Sequence, residues 1–291
     1  MNSMENILDV KNLSRQFDEF ALEGVSFALQ KGHIMGFVGE NGAGKTTTIK
    51  LILNAIRKDS GDVTVFGLDH IRKEKEVKKQ LGVVLDENYF HEMMTPKDIR
   101  LIMKNVYSNW DDEIYQQYLK RFNLPEKRTL KEFSKGMKTK LSIAVALSHK
   151  PKLLILDEPT SGLDPVSRND ILDIFRKFVE NGQCSILFST HITSDLEKIA
   201  DYVTFISHGK IMLSKTIDEI ADEYGVLRCG VEDFDLIDKK DIIGWYRSGF
   251  GFDMLVENKK QLQKKYRDMT IDKATIEDIL LYYTKGGEEQ W

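Results

Sequence analysis

The sequence predicts an α/β fold: a parallel sheet covered by helices, an antiparallel β subdomain ahead of it, a helical insertion within it and a small α+β unit after it. Three observations carry this prediction. Short continuous apolar runs recur with helical patterns between them, as strands covered on both faces require. One such run, His33–Val38, leads through a Gly-rich turn straight into a helical pattern. Between Pro96 and about His149 the pattern is helical throughout, with no strand candidate.

Taken in order, Ile7–Leu29 alternates in β-rich residues and reads as paired strands. After His33–Val38, a helix is expected from Lys45 to about Ile56. Further strands are expected at Asp62–Phe66, Leu81–Leu85, Leu153–Leu156, Cys184–Phe188 and Tyr202–Ile206, the fourth of these with Cys184 as a small core hydrophobe. Arg72–Lys79 reads as a solvated helix face, and Met93 and Met94 as core filling. Composition shifts after about Ser214 toward more charge. We therefore expect a nucleotide-binding domain over 1–214, with a helical subdomain at about 90–150, and an accessory domain over 215–291. In the latter, Ile276, Ile279, Leu280 and Tyr283 make an apolar stripe on a final helix.

Composition narrows the function. The chain has 291 residues, enough for about two compact units. Its 42 basic and 46 acidic residues nearly cancel, which leaves no global field for nucleic acid or anionic lipid. Two cysteines cannot build a disulfide framework, and no CxxC pair suggests zinc. No run approaches the ~18 apolar residues of a membrane span, and the first residues lack the features of a signal peptide. The expectation is a cytoplasmic protein that reaches a membrane only through another chain.

The segment Gly39-Glu-Asn-Gly-Ala-Gly-Lys-Thr46 fits the pattern G-x-x-x-x-G-K-[ST], after a strand and opening a helix. Its backbone N–H groups can turn inward as an anion nest, and the helix N-terminus adds its positive end. Gly39, Glu40, Asn41, Gly42, Ala43 and Gly44 would then cradle the phosphates of ATP together with Lys45, Thr46 and Thr47. Lys45 supplies a point charge, and the Thr46 hydroxyl is placed to reach Mg²⁺. Leu153–Leu156 is a buried strand that ends in Asp157 and Glu158. Adjacent side chains on a strand face opposite ways, so the two acids can divide the work. Asp157 is suited to hold Mg²⁺, and Glu158 to polarise the attacking water.

A segment twenty residues before the acids separates this chain from other proteins with a P-loop NTPase core. Phe133-Ser-Lys-Gly-Met137, Asp157-Glu-Pro-Thr-Ser-Gly-Leu-Asp-Pro165 and Ser189-Thr-His191 follow in order. With these motifs, residues 7–214 resemble an ABC-transporter nucleotide-binding subunit. The resemblance implies an ATPase with two sites between two such domains packed head to tail, beneath transmembrane permease subunits. It assigns Phe17 to stacking on adenine, and Ser134 and Gly136 to the partner's γ-phosphate. It places Asp164 at the dimer seam and makes His191 the γ-phosphate switch. Ser134 and Asp164 also read locally as helix N-caps, the latter with Pro165 at N1.

Two departures stand out. The family signature is leucine-serine-glycine-glycine-glutamine, and here Phe133, Lys135 and Met137 replace three of the five. The family's glutamine after Leu81-Gly-Val-Val-Leu, which meets Mg²⁺ and relays nucleotide state, is Asp86 here. Asp86 either holds the metal beside Asp157 and Glu158, weakens the relay or repels the attacking hydroxide, or simply caps its loop and faces away. The C-terminal segment ending in Thr275-Ile-Glu-Asp-Ile-Leu resembles the tail of bacterial exporter-type subunits, and the chain as a whole resembles ATPases of Gram-positive exporters of antimicrobial or cytolytic peptides, including phenol-soluble modulin exporters. The alternatives are a soluble ABC ATPase acting on ribosomes or DNA, and a weakly hydrolysing regulatory subunit.

Overall fold

A computed structural model describes residues 5–86, 89–249 and 251–285. Among the described residues the strands form three sheets. The first is antiparallel: β1 (Asn6–Gln16) lies between β2 (Ala21–Gln30) and β4 (Ser60–Val65), with β5 (Leu68–Asp69) at the edge. The second has the order β10-β9-β3-β8-β7-β6, with β3 (Ile34–Val38), β6 (Leu81–Val84), β7 (Leu153–Asp157), β8 (Ser185–Thr190), β9 (Tyr202–Ser207) and β10 (Lys210–Thr216). It is parallel throughout apart from β10, which runs antiparallel to β9. Every residue of β3, β7 and β8 is buried, which is why these strands read as unbroken apolar runs.

Helix α1 (Lys45–Ile52) lies between these two sheets. Ile49, Leu51 and Ile52 share a core with Leu8, Val10 and Leu29 of the first sheet and Phe37 of the second. The helix stops four residues short of the expected Ile56. Asn54 takes a left-handed φ of +52°, and the N–H groups of Ala55 and Ile56 turn back onto the carbonyl of Lys50. That is a helix-ending turn in which Asn tolerates αL. Helix α2 (Glu74–Lys78) carries the charge run and buries only Val77.

Between β6 and β7 come α3 (Pro96–Val106), α4 (Asp112–Arg121), a 3₁₀ turn (Leu130–Glu132) and α5 (Lys135–Ser148). Their starts are chemically marked: Thr95 and Asp98 make a capping box before Pro96, and Asp111 and Ser134 cap α4 and α5. Ile99, Tyr115, Leu130 and Leu141 pack into the core beneath the parallel sheet. Met94 packs against that core as expected, whereas Met93 is exposed. Cys184 is half-buried and precedes β8, so the strand starts one residue later than predicted. Its thiol points at the carbonyl of Pro151, 3.6 Å away.

Helices α6 (Pro165–Val179) and α7 (Thr193–Ile199) follow β7 and β8. Ser214 lies inside β10, and the chain continues into α8 (Ile217–Glu223) behind a Thr216–Glu219 capping box. The third sheet has the order β12-β13-β11-β14, with β11 (Gly225–Cys229), β12 (Ile242–Ser248), β13 (Gly251–Val256) and β14 (Thr270–Lys273), accompanied by α9 (Lys259–Lys265). Leu227, Met254 and Ile271 form its own small core. Helix α10 (Ile276–Lys285) buries Ile276, Ile279 and Tyr282 in the same cluster as Leu196 and Ile199 of α7. Among the described residues no helix is long and apolar enough to cross a membrane.

Candidate functional site

The site lies at the carboxyl ends of β3, β8 and β7, three neighbouring strands, which is where open parallel sheets take ligands. The loop leaving β3 depends on two glycines in particular. A Cβ on Gly39 would fall 2.3 Å from the carbonyl oxygen of Ile206, and Gly44 has a φ of +113°. The loop is closed by the Ala43 N–H donating to the Glu40 carbonyl at 3.1 Å. It is joined to the β9–β10 turn by the Gly209 N–H, which donates to the Ala43 carbonyl at 3.0 Å. Asn41 and Gly42 are exposed, and Glu40 and Thr47 half-buried.

Lys45 is buried, and its ammonium donates to the carbonyls of Gly39 at 2.7 Å and Glu40 at 3.2 Å. Glu158 Oε1 lies 3.8 Å away. Burial pulls the Lys45 pKa down, and the carboxylates of Glu158 and Asp157 push it part of the way back. A buried cation of this kind favours an anion brought to it.

Asp157, only 1% exposed, closes β7. The Thr46 hydroxyl donates to its Oδ2 at 2.7 Å, and the Ser189 hydroxyl to its Oδ1 at 2.5 Å. The paired oxygens of Thr46 and Asp157 are hard donors, of the kind a Mg²⁺ ion takes.

Glu158 is the first residue past β7 and has a left-handed φ of +52°, rare for a residue with a side chain. Its N–H donates to the Ser189 carbonyl at 3.0 Å. Nδ1 of His191 lies 2.8 Å from Glu158 Oε2, yet off the line of a hydrogen bond, so this buried oxygen has no hydrogen-bond partner. An orphaned buried carboxylate oxygen is costly. It fits a site that awaits a water or another donor, and the donors here suit a metal-bound nucleotide.

The structure therefore brings together Lys45, Thr46, Asp157, Glu158 and His191. Residues 39–44 wrap around Lys45, with Thr47 in the same helix, whereas Asp86, Ser134, Gly136, Asp164 and Phe17 have other contacts. Asp86 makes an ion pair with Lys135 at 2.7 Å, and among the described residues no group of three acids, histidines or cysteines is poised to hold a metal. Ser134 caps α5 through the Met137 N–H, and Gly136 faces Leu163. Asp164 caps α6 through the N–H groups of Val166 and Ser167, and the Ser167 hydroxyl, followed by these N–H groups, lowers its pKa. Phe17 is about one-third exposed, with the Arg15 guanidinium 5.4 Å over its ring.

Sequence reasoning missed Phe20, Ser189 and Asp195. Phe20 stands 6.2 Å from Phe17, ring to ring, and it would meet a Cβ on Gly44 at 3.0 Å, so it links the Phe17 turn to the phosphate loop. Ser189 sits in the quoted motif, two residues before His191, and its inward face was the available signal. Asp195 lies in the first turn of α7, four residues beyond His191, which itself precedes the helix, and no signal in the residue order singles it out.

Comparison with known proteins agrees with this geometry. Residues 22–161 match the family model described as ABC transporter. The chain is 28% identical to the ABC transporter ATP-binding protein YtrB of Bacillus subtilis (strain 168), over 98% of this chain and 100% of that protein. It is 31% identical to the bacitracin transport ATP-binding protein BcrA of Bacillus licheniformis, over 75% of this chain and 72% of that protein. A solved structure of an ATP-binding subunit of an ABC transporter superposes with a TM-score of 0.68 at 28% identity, covering 74% of this chain and 91% of that one.

Proposed function

This chain belongs to the ATP-binding subunits of ABC transporters and is an ATPase, and we propose that it powers export of an antimicrobial or drug-like substance through separate permease subunits. The observation that carries the reading is the meeting of Lys45, Thr46, Asp157, Glu158 and His191 at three adjacent strand ends. Similarity to a bacitracin transport protein supports the cargo class.

In this reading the backbone of residues 39–44 and Lys45 bind the β- and γ-phosphates of ATP, with Thr47 in the same helical turn. Thr46 and Asp157 would hold Mg²⁺, which when bound would neutralise charge on the phosphate oxygens. Glu158 Oε2, free of hydrogen bonds, takes the proton of the attacking water. His191 meets the γ-phosphate, and Phe17 stacks on the base. Ser134, Asp164 and Val166 are exposed at helix starts, with Val166 79% exposed, which supports a second nucleotide-binding domain packing there. The working particle is then a dimer, peripheral at the inner face of the membrane, with residues 215–291 as an accessory unit.

The test is co-purification from membranes with ATPase assay. A stable permease partner is expected, with turnover rising more steeply than linearly in protein concentration. Purification with ribosomes or DNA instead would overturn the transport role.

A further inference from the structure

Two residues past Glu158, the buried hydroxyl of Thr160 donates to Oδ2 of Asp195 at 2.8 Å. Asp195 has no exposure at all, and its other oxygen, Oδ1, accepts from Nε of Arg168 at 2.6 Å. Arg168 also reaches the Ser194 hydroxyl through Nη2 at 3.2 Å. Burying a carboxylate is costly unless it is paired and hydrogen-bonded, so both of its bonds matter.

The three groups come from three elements around the site. Thr160 belongs to the turn after β7, Arg168 to α6, and Asp195 to α7, which follows His191. Glu158 keeps its left-handed backbone immediately before Pro159. A strained setting of this kind persists only where the surroundings over-determine it. Three backbone bonds hold the turn: the Glu158 N–H to Ser189, the Ser161 N–H to the Glu158 carbonyl at 3.1 Å, and the Leu163 N–H to the Thr160 carbonyl at 3.3 Å. The Thr160–Asp195 bond is the side-chain tether between this turn and the helix beyond His191.

We propose that Asp195 is a positioning residue for Glu158. Through Thr160 it fixes the turn that aims the Glu158 carboxylate at His191 and Lys45, and Arg168 holds Asp195 in place. This inference rests on the reading of Glu158 as the group that takes the water's proton.

The experiment compares steady-state ATP hydrolysis by the full chain as wild type, Thr160→Val, Thr160→Ser and Asp195→Asn, with Thr160→Val also made in Glu158→Gln. Thr160→Val keeps the shape and removes the donor. It should lower kcat by about 10- to 100-fold, the scale of a small misplacement, while the KM for ATP holds. Thr160→Ser, which keeps the hydroxyl, should restore turnover. Asp195→Asn should behave like Thr160→Val, and if it fails to fold, the Thr160 pair still decides the matter. Added to Glu158→Gln, Thr160→Val should lower the residual rate little further, because both act on one carboxylate. Wild-type turnover in Thr160→Val overturns the inference, and so does an equal loss in the Glu158→Gln background. Wild-type turnover in Glu158→Gln alone would instead remove the role of Glu158 and the reading beneath it.

Discussion

Oδ1 of Asp86 lies 2.7 Å from Nζ of Lys135, so two positions at which this chain departs from its family's pattern meet as one ion pair. Lys135 opens α5, where a cation opposes the helix dipole, and Asp86 offsets that charge. Both partners are about half exposed, which makes the pair worth about 0–1 kcal/mol. Asp86→Asn and Asp86→Gln should therefore give ATPase curves against Mg²⁺ that superimpose on wild type. A higher half-saturating Mg²⁺ in Asp86→Asn would return Asp86 to the metal.

Lys45→Ala should weaken ATP binding itself, because the buried ammonium serves the bound nucleotide before any chemistry. A charged hydrogen bond is worth about 1.5–3 kcal/mol, or roughly a 10- to 150-fold loss of affinity. Titration with a fluorescent ATP analogue reads this directly, and unchanged affinity would count against the phosphate loop.

Glu158→Gln keeps the shape of the side chain and removes its basicity. Hydrolysis should fall by about 10²–10⁴-fold while ATP binding survives. The same variant should accumulate as an ATP-bound dimer, visible by light scattering. A chain that stays monomeric with ATP and Glu158→Gln would argue against the half-site arrangement.

Much of this was readable from residue order alone. The phosphate loop and the acid pair are short linear motifs whose chemistry depends on neighbours in sequence, so Lys45, Thr46, Asp157 and Glu158 could be named at once. Strand positions followed for the same reason, since burial on both faces leaves an unbroken apolar run. Relations between distant segments stayed hidden. Nothing in the order of residues puts Asp86 against Lys135 or Thr160 against Asp195, because those pairings depend on how β6 lies beside α5 and α7 beside the β7 turn. The end of α1 was misplaced because Asn54 adopts a conformation more often given to glycine.

Gly39→Ala should be among the most damaging single-methyl changes, because its Cβ has no room beside the backbone of Ile206. Overpacking against backbone costs about 1–3 kcal/mol, and any relief must move the phosphate loop. A lower Tm together with weaker ATP binding is expected. A lower Tm with normal binding would show that the loop accommodates the methyl group.

Burial pulls the imidazoles of His149 and His70 below their ordinary value of 6.5. His149 Nε2 also lies 2.8 Å from the Leu81 carbonyl, a contact that suits a neutral ring donating from that atom. The folded chain thus resists protons that the unfolded chain accepts below pH 6.5. Their contribution to stability is present above that value and is lost as the pH falls toward the folded pKa values. Thermal melts should show Tm dropping between pH 7 and pH 5.5. His149→Gln, which keeps a donor but does not titrate, should flatten part of that slope; an unchanged slope would clear His149 of the effect.

The packing of α10 against α7 also sets an order of assembly during synthesis. Leu196 emerges from the ribosome eighty positions before Ile276, yet the two finish one core. Until the later residue arrives, the helix beyond His191 keeps an apolar face open to water, and non-local contacts of this range close slowly. A chain halted before Ala274 should hold ATP less firmly than the finished one, measurable on arrested nascent chains. A subunit still lacking α10 would then spend little ATP, and hydrolysis would begin only once that helix had been made.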